Sequence, residues 1–232
     1  MRARLFQVQY SRNPLRSQER TVSALKILAC ERQPCHSRKV RLRVVDRVFW
    51  VWLSRLVSAD FFVVPTATLR LLFVFLVLSH DRRRVLHIGV TSHPTAKWTA
   101  QQLRQAFPWD TAPRYLLRDR DACYGEPFSE TAQSMHMEEI LTAPRSPWQN
   151  AYVERLIGSI RRECLDHVLI FSERGLRRIL QSYFDYYENW RTHLGLAKDA
   201  PISRPVQPPA LGNVIELPQV GGLHHRYERR AA

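Results

Sequence analysis

The chain has 232 residues, enough for one domain of ordinary size with extensions, and an apolar share of 45%, which lets most of it fold round a real core. Its 35 Lys and Arg against 21 Asp and Glu leave a net charge of +14, which points to a polyanionic partner. Four cysteines are too few and too scattered for a disulfide scaffold, and the charged start Met1-Arg2-Ala3-Arg4 does not read as a secretion signal.

Residues 1–47 hold 12 of the basic residues and 3 of the acidic ones, with apolar residues sparse. They read as a basic, poorly ordered extension with one short helix around Val22–Cys30. The run Cys30, Cys35, His36 lacks a second ligand pair at finger-like spacing, so no zinc site is expected. The most apolar stretch, Val48–Leu78, is broken by Arg55, Asp60 and Arg70, which argues against a membrane span and for a cytoplasmic protein.

From Ala59 the pattern sharpens. Asp60–Val64 reads as a strand ending at Pro65, and Leu71–Leu78 is eight apolar residues in a row, as in a strand covered on both faces. A polar turn, Ser79–Arg83, leads to a third strand at Val85–Val90, and short turns make the three an antiparallel meander. Thr95 is placed to cap a helix to Phe107. Short strands follow at Tyr115–Leu117 and Ile140–Leu141, with a short helix between them at Phe128–Met137. Helices are predicted over Asn150–Val168 and Glu173–Trp190. The prolines after Pro201 predict extended coil to the end. The sum is an α/β fold, a mixed sheet with helices on its faces.

Three carboxylates stand out. Asp60 lies within an apolar strand, where a charge is costly unless it is paired or binds metal. Asp119 follows the end of a buried strand, where sheets of this class place ligands. Glu154 begins a helix after the Pro144–Pro147 loop. Each alone could be an ion pair, a turn cap or a solvated side chain. Asp81 is read as a turn residue.

Together they carry a family resemblance, over roughly Ser58–Leu196. Ala59-Asp60-Phe61-Phe62, Leu116–Asp121 through Tyr124-Gly125, and Ser146–Arg155 resemble the three acidic motifs of the integrase core of bacterial insertion-sequence transposases, which are similar to retroviral integrases. Tyr186-Tyr187 through Arg191-Thr192-His193 and Leu196 resembles the usual ending of that core. The resemblance implies a ribonuclease H-like fold, with the three-strand meander joined by short parallel strands. It implies Asp60, Asp119 and Glu154 as catalytic ligands of two Mg²⁺ or Mn²⁺ ions, used in cutting and joining DNA strands. Hard cations of this kind prefer carboxylate oxygen. Many relatives have Asn-Gly where this chain has Arg120-Asp121, so Asp121 rivals Asp119 for the second position.

Arg161, seven positions past Glu154, shares its helix face; with Arg155 and Arg162 it is read as contacting DNA phosphates. Glu163 falls on the opposite side. The expected partners are element ends and target duplex, bound by a homo-oligomer in a prokaryotic nucleoid. The predicted organisation is a basic extension at 1–47, an apolar remnant at 48–57, a catalytic core at 58–200 and a Pro-rich basic tail at 201–232. Residues Val44–Leu56 resemble the extreme start of longer relatives, which suggests a deletion near Leu56-Val57 that removed the DNA-recognition region. Two other readings stay open: a non-catalytic DNA-binding remnant, and a ribonuclease H-like nuclease that cleaves without joining.

Overall fold

The computed structural model describes residues 55–144 and 146–231. The expectations for the basic extension, the Val22–Cys30 helix, the Cys30/Cys35/His36 run and most of the apolar remnant lie outside those residues.

Strand β1 (Leu56–Pro65) pairs antiparallel with β2 (Leu71–Ser79), and β2 pairs antiparallel with β3 (Val85–Thr91). On its other side β1 pairs parallel with β4 (Tyr115–Arg118), which pairs parallel with β5 (Glu138–Leu141). Among the described residues the sheet order is therefore β3-β2-β1-β4-β5. The meander and the mixed sheet are as expected, except that β1 starts at Leu56, before the expected core boundary of 58. Parallel neighbours need a crossover, and helix α1 (Ala96–Ala106) supplies it before β4, as α2 (Glu126–Ser134) does before β5. Thr95 caps α1 by accepting a hydrogen bond from the Trp98 amide at 3.2 Å.

Side chains alternate across β1, and the two faces meet different helices. Val57 and Ala59 join Phe75, Leu103, Leu116 and Phe128 in the core beneath α1 and α2. Phe62 and Val64 join Val74, Leu76, Val153, Leu156, Leu176 and Tyr183 beneath α3 (Ala151–Glu163) and α4 (Glu173–Asn189). The run Leu71–Leu78 feeds both cores, because β2 is covered on both faces.

Two expectations fail in the C-terminal third. Helix α3 stops at Glu163, short of Val168: Cys164 turns at φ −140° and ψ −63°, and a 3-10 turn, Leu165–His167, follows. The His167 ring meets the Arg162 carbonyl at 2.9 Å, which satisfies a free helix-end acceptor and replaces continuation of the helix. Nor is the tail coil throughout. The prolines up to Pro208 lie in largely irregular chain, but β6 (Asn213–Gln219) and β7 (His224–Arg230) form an antiparallel hairpin. Its turn needs left-handed backbone, which Gly221 (φ 65°) and Gly222 (φ 94°) adopt without a side-chain clash. The hairpin is held from outside: His224 stacks on Tyr186 of α4 at 4.5 Å and Arg226 lies 4.6 Å over the Trp190 ring.

Glu163, expected on the side of α3 away from Glu154, is tied into the structure. Its carboxylate accepts from Tyr183 Oη at 2.8 Å, from Arg191 Nε at 2.7 Å and from Arg191 Nη2 at 2.6 Å. Burial pushes its pKa up, but the hydrogen bonds from Arg191 and Tyr183 outweigh burial and hold it below the ordinary 4.5. A depressed carboxyl stabilises the fold above its unfolded pKa and loses that contribution as pH falls through the folded value. Glu163→Gln is therefore expected to destabilise the protein by about 1–3 kcal/mol at neutral pH. In urea titrations the difference from wild type should begin to narrow below pH 4.5 and close as pH falls through the lower folded value.

Candidate active site

The acidic residues gather where β1 and β4 part. Their parallel pairing runs Leu56↔Tyr115, Val57↔Leu116, Ser58↔Leu117 and then ends. Continued for two more residues, that register sets Asp60 beside Asp119. Ser58, Asp60 and Phe62 alternate onto the face covered by α3, so Asp60 points away from the α1–α2 core. The carboxyl ends of parallel strands are where open sheets leave a crevice.

Local hydrogen bonds fix the acidic loop. Asp60 Oδ1 accepts the Phe61 amide at 2.8 Å. Asp119 Oδ1 accepts the Asp121 amide at 3.1 Å, and Asp121 Oδ1 accepts that of Cys123 at 2.9 Å, a pair of side-chain-closed turns. Under the loop, Arg118 is almost fully buried. It donates to Glu139 Oε1 at 2.5 Å and to the Asp119 carbonyl at 3.0 Å, with the Tyr124 ring 5.0 Å away.

Helix α3 closes the other wall. A 3-10 turn, Pro147–Asn150, leads into it and buries Asn150. Asn150 Nδ2 donates to the Ala59 carbonyl at 3.5 Å, which ties the helix start to the strand beside Asp60, while its Oδ1 has no partner. Glu154, in the first turn of α3, is exposed and forms no hydrogen bond or ion pair among the described residues.

The result is one open cavity of about 400 Å³, lined by Asp60, Asp119, Asp121, Glu154, Asn150, Arg120 and the loop residues Thr142, Ala143, Pro144 and Ser146. The loop is braced by the Ala143 amide donating to Gln149 Oε1 at 2.7 Å and by Arg120 donating to the Thr142 carbonyl at 3.2 Å. Burial pushes the Asp60 carboxyl up to about 7; the Phe61 amide opposes this, and the negative charges of Asp119, Glu154 and Asp121 add to it. Partial burial raises Glu154 as well. Among the described residues no three His, Cys, Asp or Glu side chains stand close enough to hold an ion as they are. The carboxylates line the walls of the cavity without closing on one point.

The three arginines of α3 go to different places. Arg161 lies over the Phe62 ring at 5.9 Å and donates to the Val63 carbonyl at 3.2 Å. Arg162 lies along its own helix against Gly158, and Arg155 lines a separate cavity. None of the three lines the carboxylate cavity. Asp81 is an exposed residue of the β2–β3 turn, as its setting predicts. Asn150 escaped the sequence reading as a site residue, although it lies within the Ser146–Arg155 motif; no local pattern signals its unpartnered oxygen.

Comparison with known proteins decides what this arrangement is similar to. Residues 135–201 match the family model of the integrase core domain. Over 145 residues the chain is 26% identical to an uncharacterised protein of insertion element IS476 from Xanthomonas euvesicatoria. In the solved structures, the HTLV-2 integrase catalytic core domain with magnesium superposes with a TM-score of 0.52 at 12% identity, covering 65% of this chain and 94% of that one. The catalytic domain of Mos1 mariner transposase does so with a TM-score of 0.52 at 16% identity, covering 77% and 85%. The fold is that of the integrase and transposase catalytic cores.

That fold is ribonuclease H-like, a mixed sheet flanked by helices. The IS476 match takes in 62% of this chain and 42% of the relative, so the chain spans less than half of that protein's length. No helix among the described residues is long and apolar enough to cross a membrane.

The raised Asp60 carboxyl has a measurable cost. A folded pKa of about 7 against an ordinary 3.8 means that Asp60 destabilises the fold once pH exceeds 3.8, increasingly up to about 7. Without divalent cations, Asp60→Asn is expected to unfold at a higher temperature than wild type above pH 7. The two melting temperatures should converge as pH falls below 3.8.

Proposed function

We propose that the chain cuts and joins DNA strands at the carboxylate cavity, as a DDE-type transposase or integrase core using divalent metal. The observation that carries this is the convergence of Asp60, Asp119, Asp121 and Glu154 on one crevice from a strand, a strand end and a helix start. Burial is the main cause of the upward shift of Asp60, and the neighbouring carboxylates Asp119, Glu154 and Asp121 add to it.

The donor set suits a hard cation. It is all oxygen: carboxylates, and the buried Oδ1 of Asn150, which lacks a donor. The thiol of nearby Cys123 is pushed up to about 11 by burial and by Asp121, which disfavours thiolate ligation. Asp60, Asp119 and Glu154 would hold two Mg²⁺ or Mn²⁺ ions, with Asp121 the rival of Asp119. When bound, such ions stabilise charge on the attacking and leaving oxygens of an in-line displacement at phosphorus.

The chain's own residues supply placement. Arg118, paired with Glu139 and bonded to the Asp119 carbonyl, holds the acidic loop at the sheet end. Asn150 joins the start of α3 to β1, keeping Glu154 opposite Asp60. In the reaction, water or a strand's 3′-hydroxyl forms a new P–O bond. The bond to the departing 3′-oxygen breaks, the nucleophile gives its proton to solvent, and the departing oxygen takes one up to leave as a hydroxyl.

The relatives support the reading in kind. The HTLV-2 integrase core was solved with magnesium, the Mos1 catalytic domain with manganese, and a third similar structure is a simian T-cell lymphotropic virus intasome. On this basis the partners are element ends and target duplex, with the chain acting as a homo-oligomer in a bacterial nucleoid.

Relaxation of supercoiled plasmid with Mg²⁺ or Mn²⁺ tests the proposal. Glu154→Gln and Asp60→Asn should each lower nicking by roughly 100-fold or more, beyond the loss usual for residues behind the ligands. Asp119→Asn should be hit harder than Asp121→Asn. The matched control is Glu130→Gln, exposed on α2, because Glu163 is engaged with Arg191. Equal nicking by wild type and Glu154→Gln would reject catalysis at this cavity.

A further inference from the structure

A second cavity, of about 260 Å³, lies round α3 from the carboxylates. Arg83 of the β2–β3 turn, Tyr152 and Arg155 of α3, Tyr187 of α4, and Arg191 and His193 beyond α4 line it, and no Asp or Glu side chain does. Arg191 is neutralised by Glu163. Arg83 and Arg155 form no ion pair with an acid among the described residues, which leaves two uncompensated guanidinium groups at one concavity.

Arg83 is held in position. Its guanidinium lies 5.1 Å over the Tyr152 ring. Neighbouring Arg82 fastens the turn, donating to Asp199 Oδ2 at 2.8 Å and to the carbonyls of Ala200 and Pro201 at 2.7 and 2.8 Å. A side chain at Gly195 would run into the Arg83 guanidinium, so glycine there leaves room for it.

His193 supplies an independent observation. It is 6% exposed, and its backbone amide donates to the Asp199 carbonyl at 3.0 Å. Its Nδ1 faces Arg191 Nη1 at 3.3 Å. A guanidinium can only donate, so Nδ1 accepts and the ring proton sits on Nε2. Nε2 is buried and meets no acceptor at full hydrogen-bond geometry; the Tyr187 backbone lies near the ring and favours its protonated form. Burial, then the charges of Arg191 and Arg83, push the ring down to about 4, so at neutral pH it offers an N–H and no charge. A buried donor left unpaired is unfavourable and calls for an acceptor from outside.

We propose that this cavity binds a phosphate group of a DNA strand that passes round α3 from the carboxylate cavity. One non-bridging oxygen meets Arg83 and Arg155, and the other takes the Nε2–H of His193. The proposal rests on the DNA-acting reading above. Arg155 directly follows Glu154, about 100° round the same helix turn, so a strand engaged at one cavity can reach the other. Such a contact would set strand path and register without reading bases.

The test is binding of a fluorescein-labelled duplex to the full chain by anisotropy, across a series of salt concentrations. Each phosphate neutralised adds about 0.9 to the slope of log affinity against log salt. Arg83→Gln, in a surface turn, should weaken binding roughly three- to tenfold and lower the slope by about 0.9. Arg83→Lys should restore the slope. His193→Phe should weaken binding at unchanged slope, since it removes a donor and no charge; if it does not fold, the Arg83 series still decides. Arg178→Gln, exposed on α4, removes the same charge elsewhere, and an equal fall in slope there would reduce the effect to diffuse attraction and overturn the proposal.

A wild-type chain that binds no DNA overturns both this proposal and the proposed function. DNA binding with the same slope in wild type and Arg83→Gln overturns the subsite alone. Inorganic phosphate, followed by ³¹P line broadening, separates the sources. If it binds wild type but not Arg83→Gln while the DNA slope is unchanged, the site serves free phosphate and the strand proposal fails.

Discussion

The parallel pairing of β1 with β4 lasts three residue pairs, and the rest of the molecule is arranged round its end. While it lasts, the paired residues are apolar apart from Ser58, whose buried hydroxyl is bonded to His80. Where it stops, the next residues that alternate onto the α3 face are Asp60 and Asp119. Continued pairing would close the gap that becomes the cavity. A shift of one residue would turn Asp60 into the core beneath α1 and α2. The register is held by Val57, Ala59 and Leu116 on one face and by Phe62 and Val64 on the other, so the position of the acids is set by hydrophobic packing.

A cluster of carboxylates at the edge of a core needs support, and the support is itself charged. Arg118 is nearly as buried as the leucines beside it, with Glu139 on β5, the Asp119 carbonyl and two aromatic rings round it. Removing one member of such a pair leaves a buried charge without compensation, so the pair fixes the acidic loop more firmly than its net contribution to stability suggests. Glu163 with Arg191 and Tyr183 repeats the device at the far end of α3. With Asn150 bonded to the Ala59 carbonyl at its start, the helix that carries Glu154 is anchored by polar contacts at both ends, and its middle by Val153, Leu156 and Ile160.

The sheet was legible in the sequence because its signals are local. Leu71–Leu78 can only be a doubly covered strand, and Thr95 stands one residue before a helix it caps. The acids were legible through resemblance: alone, Asp119 and Glu154 look like many turn and helix-surface residues. What escaped depends on contacts distant in the chain. The end of α3 is settled by His167 folding back on Arg162, and the C-terminal hairpin by docking on Tyr186 and Trp190. The prolines before it obscured the Asn213–Leu217 strand pattern and the Gly221-Gly222 turn. The cavity of Arg83, Arg155 and His193 is drawn from three separate segments, and no spacing rule links them.

The hairpin also gives the molecule a graded order of opening. A two-stranded ribbon is marginal alone in water, so β6 and β7 hold together through what they touch: the His224 contact with the Glu163 carbonyl at 2.7 Å, the Tyr186 stack, the Trp190 ring and the buried Val220. Those contacts can be lost together while the five-stranded sheet keeps every one of its own hydrogen bonds. The amides of Asn213–Arg230 therefore exchange with solvent through a local excursion, and those of β1 and β2 only through global unfolding. During that excursion Tyr186 of α4 and Trp190 just beyond it, half-buried in the closed molecule, lose their cover from the hairpin and enlarge the exposed aromatic surface.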